Sequence, residues 1–223
     1  MSKEEILSKA IYLQFPLQKS HGSKNVVPDT YKNYNIDTIT KLPASNGMLY
    51  SSWGMNEHHY TTEYHWKYVL PTIAKLLSFN YNENDFTLPE RKNGQYNITI
   101  PVPKKEYFFQ VTNLGKNITE NLDYNGLTHG KEGTEYHKLI KWPHQSLRIV
   151  NETTDSHEKL FISGDSQLIP SIAFISLFFK EVWYFDNRDM LHIYEKYKDV
   201  NFDKVLIQLY AQELEYYIGH PFL

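Results

Sequence analysis

Residues 159–185, KLFISGDSQLIPSIAFISLFFKEVWYF, decide the fold. Residues 159–163 are an apolar run of strand length, which Gly164-Asp165-Ser166 brings to a stop. Residues 169–179 are apolar over a helix's length, and Pro170 is tolerated in the first helical turn. Residues 182–185 (VWYF) read as the next strand. Further on, Asp189 N-caps a predicted helix to about residue 198, with Met190, Ile193, Tyr194 and Tyr197 on one face. Residues 205–209 (VLIQL) close the series as a third strand. Strand–helix–strand–helix–strand with near-continuous apolar strands implies an α/β fold on a parallel sheet, linked by right-handed crossovers. Ligands of such sheets bind beyond the carboxyl ends of the strands. Ser166 lies at such an end.

Upstream, Trp66, Val69, Leu70, Ile73, Ala74 and Leu77 recur with helical spacing. Pro71 suits a first turn, so this helix is expected to begin near Tyr68 or to be kinked. Between residues 80 and 158 the pattern breaks into short β-like pieces, with strands predicted at 96–102 (YNITIPV) and 107–111 (YFFQV). Residues 121–137, with Gly126, Gly130 and Gly133, read as a loop. Residues 1–45 are polar and weakly periodic after a short amphipathic helix at residues 1–10. They are expected to form an N-terminal extension packed on a domain of residues 46–223.

Composition excludes several classes of function. The 223 residues suit one domain, and 41% hydrophobic with 22% charged is the balance of a globular chain. A net charge of -3 gives no electrostatic case for nucleic acid or anionic lipid. No cysteine is present, which removes thiol nucleophiles, disulfides and Cys-ligated metals. The longest apolar run, residues 168–179, is shorter than the roughly 20 residues that cross a bilayer. With no secretory signal visible, the chain is expected to be soluble, cytoplasmic as it stands and exported if cut from a longer exported protein.

Three groups of residues offer chemistry. A serine where a strand turns into a helix presents its hydroxyl beside unpaired backbone N–H groups, which suits a nucleophile with an oxyanion site. The plainer alternative is that Ser166 caps the helix. In Thr62-Glu63-Tyr64-His65-Trp66 an extended chain turns the Glu63 carboxylate and the His65 imidazole to one side. Glu63 then orients His65 as a base for the serine, or else His65 is merely hydrogen-bonded at a helix entry. Finally, His58, His59 and His65 with Glu57 supply metal-type donors, but no strong metal motif spaces them, and no metal is expected.

Taken together, Thr-Glu-Tyr-His-Trp and, about a hundred residues later, Gly-Asp-Ser resemble the SGNH-hydrolase-like proteins related to bacterial alginate O-acetyltransferases. The likeness is closer still to their DHHW relatives, in which Asp-x-His-Trp precedes the nucleophile. Residues 166–188 and 202–210 are similar to the family's segments after the serine, and the resemblance spans about residues 59–78 and 120–215. It implies a three-layer fold whose mainly parallel sheet is flanked by helices. It also implies a catalytic triad of Ser166, His65 and Glu63, with Glu63 where the family has Asp and Tyr64 where it has its middle histidine.

The implied activity is transfer or hydrolysis of carbohydrate O-acyl groups, O-acetyl above all, through an acyl-serine in bacterial surface-polysaccharide (capsule) modification. Partners would be a carbohydrate acceptor and an acyl donor such as acetyl-CoA, with no bound cofactor and no nucleic acid. Oxyanion donors fall to the Gln167 N–H and to Asn125-Gly126, which resembles the family's glycine loop. Arg188 is assigned to a polar substrate group or to an ion pair with Asp186 or Asp189. A catalytically silent SGNH-like module that binds glycan or scaffolds polymer synthesis is the rival from another class, and a metal-dependent hydrolase is a third reading.

Overall fold

The computed structural model describes residues 1–15, 40–42, 64–93, 96–99, 101–128, 145–186 and 193–210. Helix α1 (Lys3–Lys9) opens with a capping box, in which the Ser2 hydroxyl accepts from the Glu5 N–H and the Glu5 carboxylate from the Ser2 N–H. Ala10 ends that helix and starts strand β1 (Ala10–Phe15), followed by β2 (Thr40–Lys41). A π turn (His65–Val69) runs directly into α2 (Leu70–Leu77). Short strands β3 (Phe86–Thr87), β4 (Glu90–Asn93), β5 (Tyr96–Thr99) and β6 (Val102–Pro103) pair as β3–β6 and β4–β5. Next come β7 (Phe108–Asn113), β8 (Ile118–Asp123), α3 (Tyr124–Thr128) and β9 (Leu147–Asn151). The chain continues through β10 (Lys159–Gly164), α4 (Ile169–Ile175), β11 (Glu181–Asp186) and β12 (Lys204–Tyr210).

One eight-stranded sheet orders these as β2-β1-β12-β10-β11-β9-β7-β8. From β2 to β11 every neighbour is parallel, and from β11 to β8 every neighbour is antiparallel. The expected mainly parallel sheet is therefore a mixed one, in which five of the eight strands run parallel. Burial follows that division: β10 and β11 are covered on both faces along almost their whole length, whereas β7 and β9 alternate between buried and half-exposed positions. β8 is largely exposed, as an edge strand is. Within residues 1–45, expected as an extension, the described residues 1–15 and 40–42 supply α1 and two strands of this sheet, and β1 lies inside it against β12.

The wide turn at His65–Val69 has a local cause. In a regular helix Pro71 would lack an N–H and crowd the carbonyl four residues back. Here the Leu70 N–H instead reaches the His65 carbonyl, five residues back, and the proline enters the first α turn beyond. The proline thus stands in the first turn of the α-helix, as its position predicts. Residues 121–128, expected as loop, are the end of β8 and the short α3; residues 129–137 lie outside the described part. Of the helix predicted over 189–198, the described residues 193–197 are helical, with the buried Ile193 and Tyr194 α-helical and Glu195–Tyr197 tightening to a 3-10 turn; residues 189–192 lie outside the described part.

Side chains alternate along the central strands into two cores. Leu160, Ile162, Val182, Tyr184 and Leu206 join α2, α3 and α4 in one cluster. Phe161, Trp183, Phe185, Val205 and Ile207 join Met1, Ile6, Ile193 and Tyr194 in the other. A seven-residue helix has no stability of its own in water. All seven residues of α4 are buried, so the first core holds it in place. Its carboxyl end is tied by Asn151, whose side-chain amide donates to the carbonyls of Ser176 (3.0 Å) and Leu177 (3.2 Å). No helix among the described residues is long and apolar enough to cross a membrane.

On the antiparallel flank, Glu181 is the charge hub. Burial alone would raise its carboxyl pKa. Hydrogen bonds from Arg148 (3.0 Å) and Trp183 (2.9 Å), together with the charges of Arg148 and Lys159, prevail and hold it below the usual carboxylate value of 4.5. A depressed folded-state pKa contributes stability above the unfolded value, and that contribution is lost as the pH falls through the folded one. Glu181→Gln is expected to cost about 2 kcal/mol at pH 7, with the gap to the parent narrowing at a pH well below 4.5. Urea denaturation at both pH values checks this, and an equal loss at both would contradict it.

Candidate functional site

Strand β10 ends at Gly164, and the chain then turns through Asp165–Leu168 before α4 begins. The Leu168 N–H returns to the Asp165 carbonyl at 3.1 Å, which puts Ser166 and Gln167 at the two corners of a turn. Asp165 governs the turn. Its N–H donates to Gln208 Oε1 (2.7 Å), and its own Oδ1 accepts the Gln167 N–H (2.7 Å). The residue at the N-cap position of helix α4 is Leu168, which makes no side-chain cap bond. Ser166 is half-buried between the buried Asp165 and Gln167.

Gly164 sits in close approach to its neighbours. A Cβ there would meet Gln208 Oε1 at 3.1 Å and Leu168 Cδ2 at 3.2 Å. Below the turn, the Tyr184 hydroxyl lies 3.2 Å from the Gly164 carbonyl, 3.3 Å from that of Asp165 and 3.4 Å from Asp186 Oδ2. The site also stands where the sheet's connections diverge. From β10 the chain crosses to β11 on one side, then returns to β12 on the other, while β1 leads away to β2. Crevices of open α/β sheets form at such places.

His65 belongs to the same region. Its imidazole is fully buried, with the Phe15 ring at 5.7 Å and the Tyr64 ring edge-on at 6.1 Å. Phe15 is the last residue of β1, so the ring sits by the carboxyl ends of the parallel strands. Nδ1 of His65 lies 2.8 Å from the Oγ of Ser171 on α4, a hydrogen bond joining positions 106 residues apart. The helix that Ser166 leads into is thus the helix that holds His65. α3 packs on α4 as well, bringing Asn125 and Gly126 to the same layer.

Both predicted oxyanion regions carry N–H groups already engaged by carboxylates of their own turns: Gln167 by Asp165, and Gly126 by Asp123 Oδ1 at 2.6 Å. Glu63, Arg188, Asp189, Glu57, His58 and His59 lie outside the described residues. Among the described residues, no three metal-type ligands gather in one place. Ser171 and Gln208 escaped the sequence reading. The only signal for either is a polar residue inside an apolar run, IPSIAFI for one and VLIQL for the other.

No protein-family model matches the chain, and no curated protein matches it. Solved structures do. A DHHW family protein from Eubacterium siraeum superposes with a TM-score of 0.60 at 12% identity, over 95% of this chain and 81% of that one. PatB1 of Bacillus cereus gives 0.63 at 14% identity, over 95% and 86%. PatB1 with a sulfonyl adduct gives 0.60 at 14%, over 94% and 85%. The chain shares their fold. At such identities the likeness extends to architecture and no further.

Gly164→Ala should press the new methyl on Gln208 and Leu168 and loosen the Asp165–Gln208 bond. The expected loss is about 1–3 kcal/mol, read from the urea midpoint. A midpoint equal to the parent's would mean that the turn has room the geometry denies it.

Proposed function

We propose that the chain is an SGNH-like serine enzyme with a sheet between two helical layers, transferring or hydrolysing O-acyl groups, O-acetyl above all, on carbohydrate. The observation that carries this is the buried bond from His65 to the helix that follows Ser166, at the carboxyl edge of the parallel strands. A nucleophilic serine needs a base within reach, because its hydroxyl is weak unaided. A lone capping serine would need no imidazole anchored to its own helix. The fold shared with a DHHW family protein and with PatB1 supports the reading. So does the sulfonyl adduct on PatB1, since such adducts form where a nucleophile attacks a sulfonylating reagent.

In the proposed reaction, Ser166 Oγ attacks the acyl carbonyl carbon and its proton passes to His65 Nε2. The tetrahedral oxyanion collapses to an acyl-serine as His65 returns the proton to the departing alcohol or thiol. A sugar hydroxyl or water then repeats the sequence in reverse roles, regenerating Ser166. Glu63, two residues before His65, stabilises the imidazolium that forms. The N–H groups of Gln167 and of Asn125-Gly126 serve the oxyanion by exchanging a carboxylate oxygen of Asp165 or Asp123 for it. Arg188 holds a polar or anionic group of the substrate. Acetyl-CoA is one acyl donor of the required class, and the acceptor is a surface polysaccharide.

With an aryl acetate, the parent should gain an acetyl group on Ser166 visible by peptide mass spectrometry, and Ser166→Ala should lose roughly 10³-fold or more in turnover. Undiminished turnover in that variant would end the acyl-serine reading. Glycan binding by both proteins, with no adduct on either, would favour the silent module instead.

A further inference from the structure

We propose that Ser171 is a positioning residue that sets the tautomer of His65; this rests on the acyl-serine reading above and moves to Ser171 the orienting part that the sequence pattern assigned to Glu63. A neutral imidazole carries one N–H and one lone pair, and only an unprotonated Nε2 can take a proton from Ser166. The hydrogen must then sit on Nδ1. Nδ1 faces Ser171 Oγ at 2.8 Å; in the proposed tautomer its N–H donates there and the hydroxyl oxygen accepts. Nε2 itself is enclosed and has no hydrogen-bond partner among the described residues.

Burial makes this bond consequential. His65 and Ser171 are both at 0% exposure, so water does not compete for either partner. A ring nitrogen stripped of its bond there would have no cheap substitute. The frame is stiff as well: Phe15 and Tyr64 confine the imidazole, and α4 is buried along all seven residues. Ser166 and Ser171 are five residues apart on one continuous turn-and-helix unit. The nucleophile and the anchor of its base are thereby carried by the same rigid piece, and the spacing between them is set by covalent geometry rather than by docking of separate segments. An orienting partner need not be charged to do this. The carboxylate of Glu63 adds its field to the imidazolium, while the Ser171 hydroxyl decides which nitrogen holds the proton.

The test is a tautomer measurement that needs no substrate. In protein labelled with ¹⁵N-histidine, the His65 ring signals are assigned by their loss in His65→Gln. The parent should show hydrogen on Nδ1, and Ser171→Ala and Ser171→Cys should move the population toward hydrogen on Nε2. Aryl acetate turnover should fall roughly 10–100-fold in both variants, in kcat with KM unchanged, and Ser171→Thr, which keeps the hydroxyl, should restore tautomer and kcat together. Ser171→Cys preserves volume, so it separates the bond from packing if Ser171→Ala fails to fold. A parent His65 protonated on Nε2 overturns the proposal, as does a Ser171→Cys variant whose tautomer and kcat match the parent's. Loss of the acyl-serine reading looks different: Ser166→Ala would keep its turnover whatever the His65 tautomer.

Discussion

Strand β10 exchanges ladder bonds with parallel neighbours on both flanks, with β12 from Leu160 to Ser163 and with β11 from Lys159 to Gly164. A strand so placed has no solvent face, and Leu160, Phe161 and Ile162 are wholly buried in consequence. Polar chemistry can appear only where the ladders stop. They stop at Gly164, and within four residues the chain places a carboxylate, a hydroxyl and an amide side chain. The location of the candidate site is therefore a result of sheet pairing, and the bond from the Asp165 N–H to Gln208 Oε1 on the adjacent β12 fixes the angle at which the chain leaves.

The second half of the site arrives through apolar packing. Val69, Leu70, Ile73 and Leu77 bury against the same core as α4, and each such side chain contributes about 1.5–3 kcal/mol on leaving water. That total far exceeds the roughly 1 kcal/mol of a single hydrogen bond. The His65–Ser171 bond does not bring the segments together. Hydrophobic burial does, and the bond selects one ring orientation within an assembly already made. Stability and positioning are thus divided between different residues of the same two helices.

Much of this was legible in residues 159–209, because parallel strands buried on both faces announce themselves as short unbroken apolar runs between turn residues. The strand at Ala10–Phe15 was not. It follows α1 with no glycine or proline between them, Ala10 ending one element and beginning the next, so no punctuation marks the change. Strand β8, ITENLD, is an exposed edge whose polar residues fit a loop equally well. In the site, Ser166 and His65 stood out through their neighbours in sequence. Ser171 and Gln208 acquire meaning only when the fold sets them against His65 Nδ1 and the Asp165 N–H, partners 106 and 43 positions away.

The same corner of the molecule departs from the rule that buried polar atoms are satisfied. Asp165 Oδ2 and Gln208 Nε2 are both enclosed and make no hydrogen bond among the described residues, although each residue's other polar atom does. An unmade bond of this kind costs on the order of 1–3 kcal/mol, a large share of a domain's net stability. An apolar residue at 208 would remove one of those costs, but it would also release the Asp165 N–H and with it the turn that presents Ser166. Departures from local consistency concentrate where a chain is shaped for a task other than folding. Here an acceptor and a donor with no partner among the described residues lie on either side of the β10–β12 edge, beside the turn at Ser166.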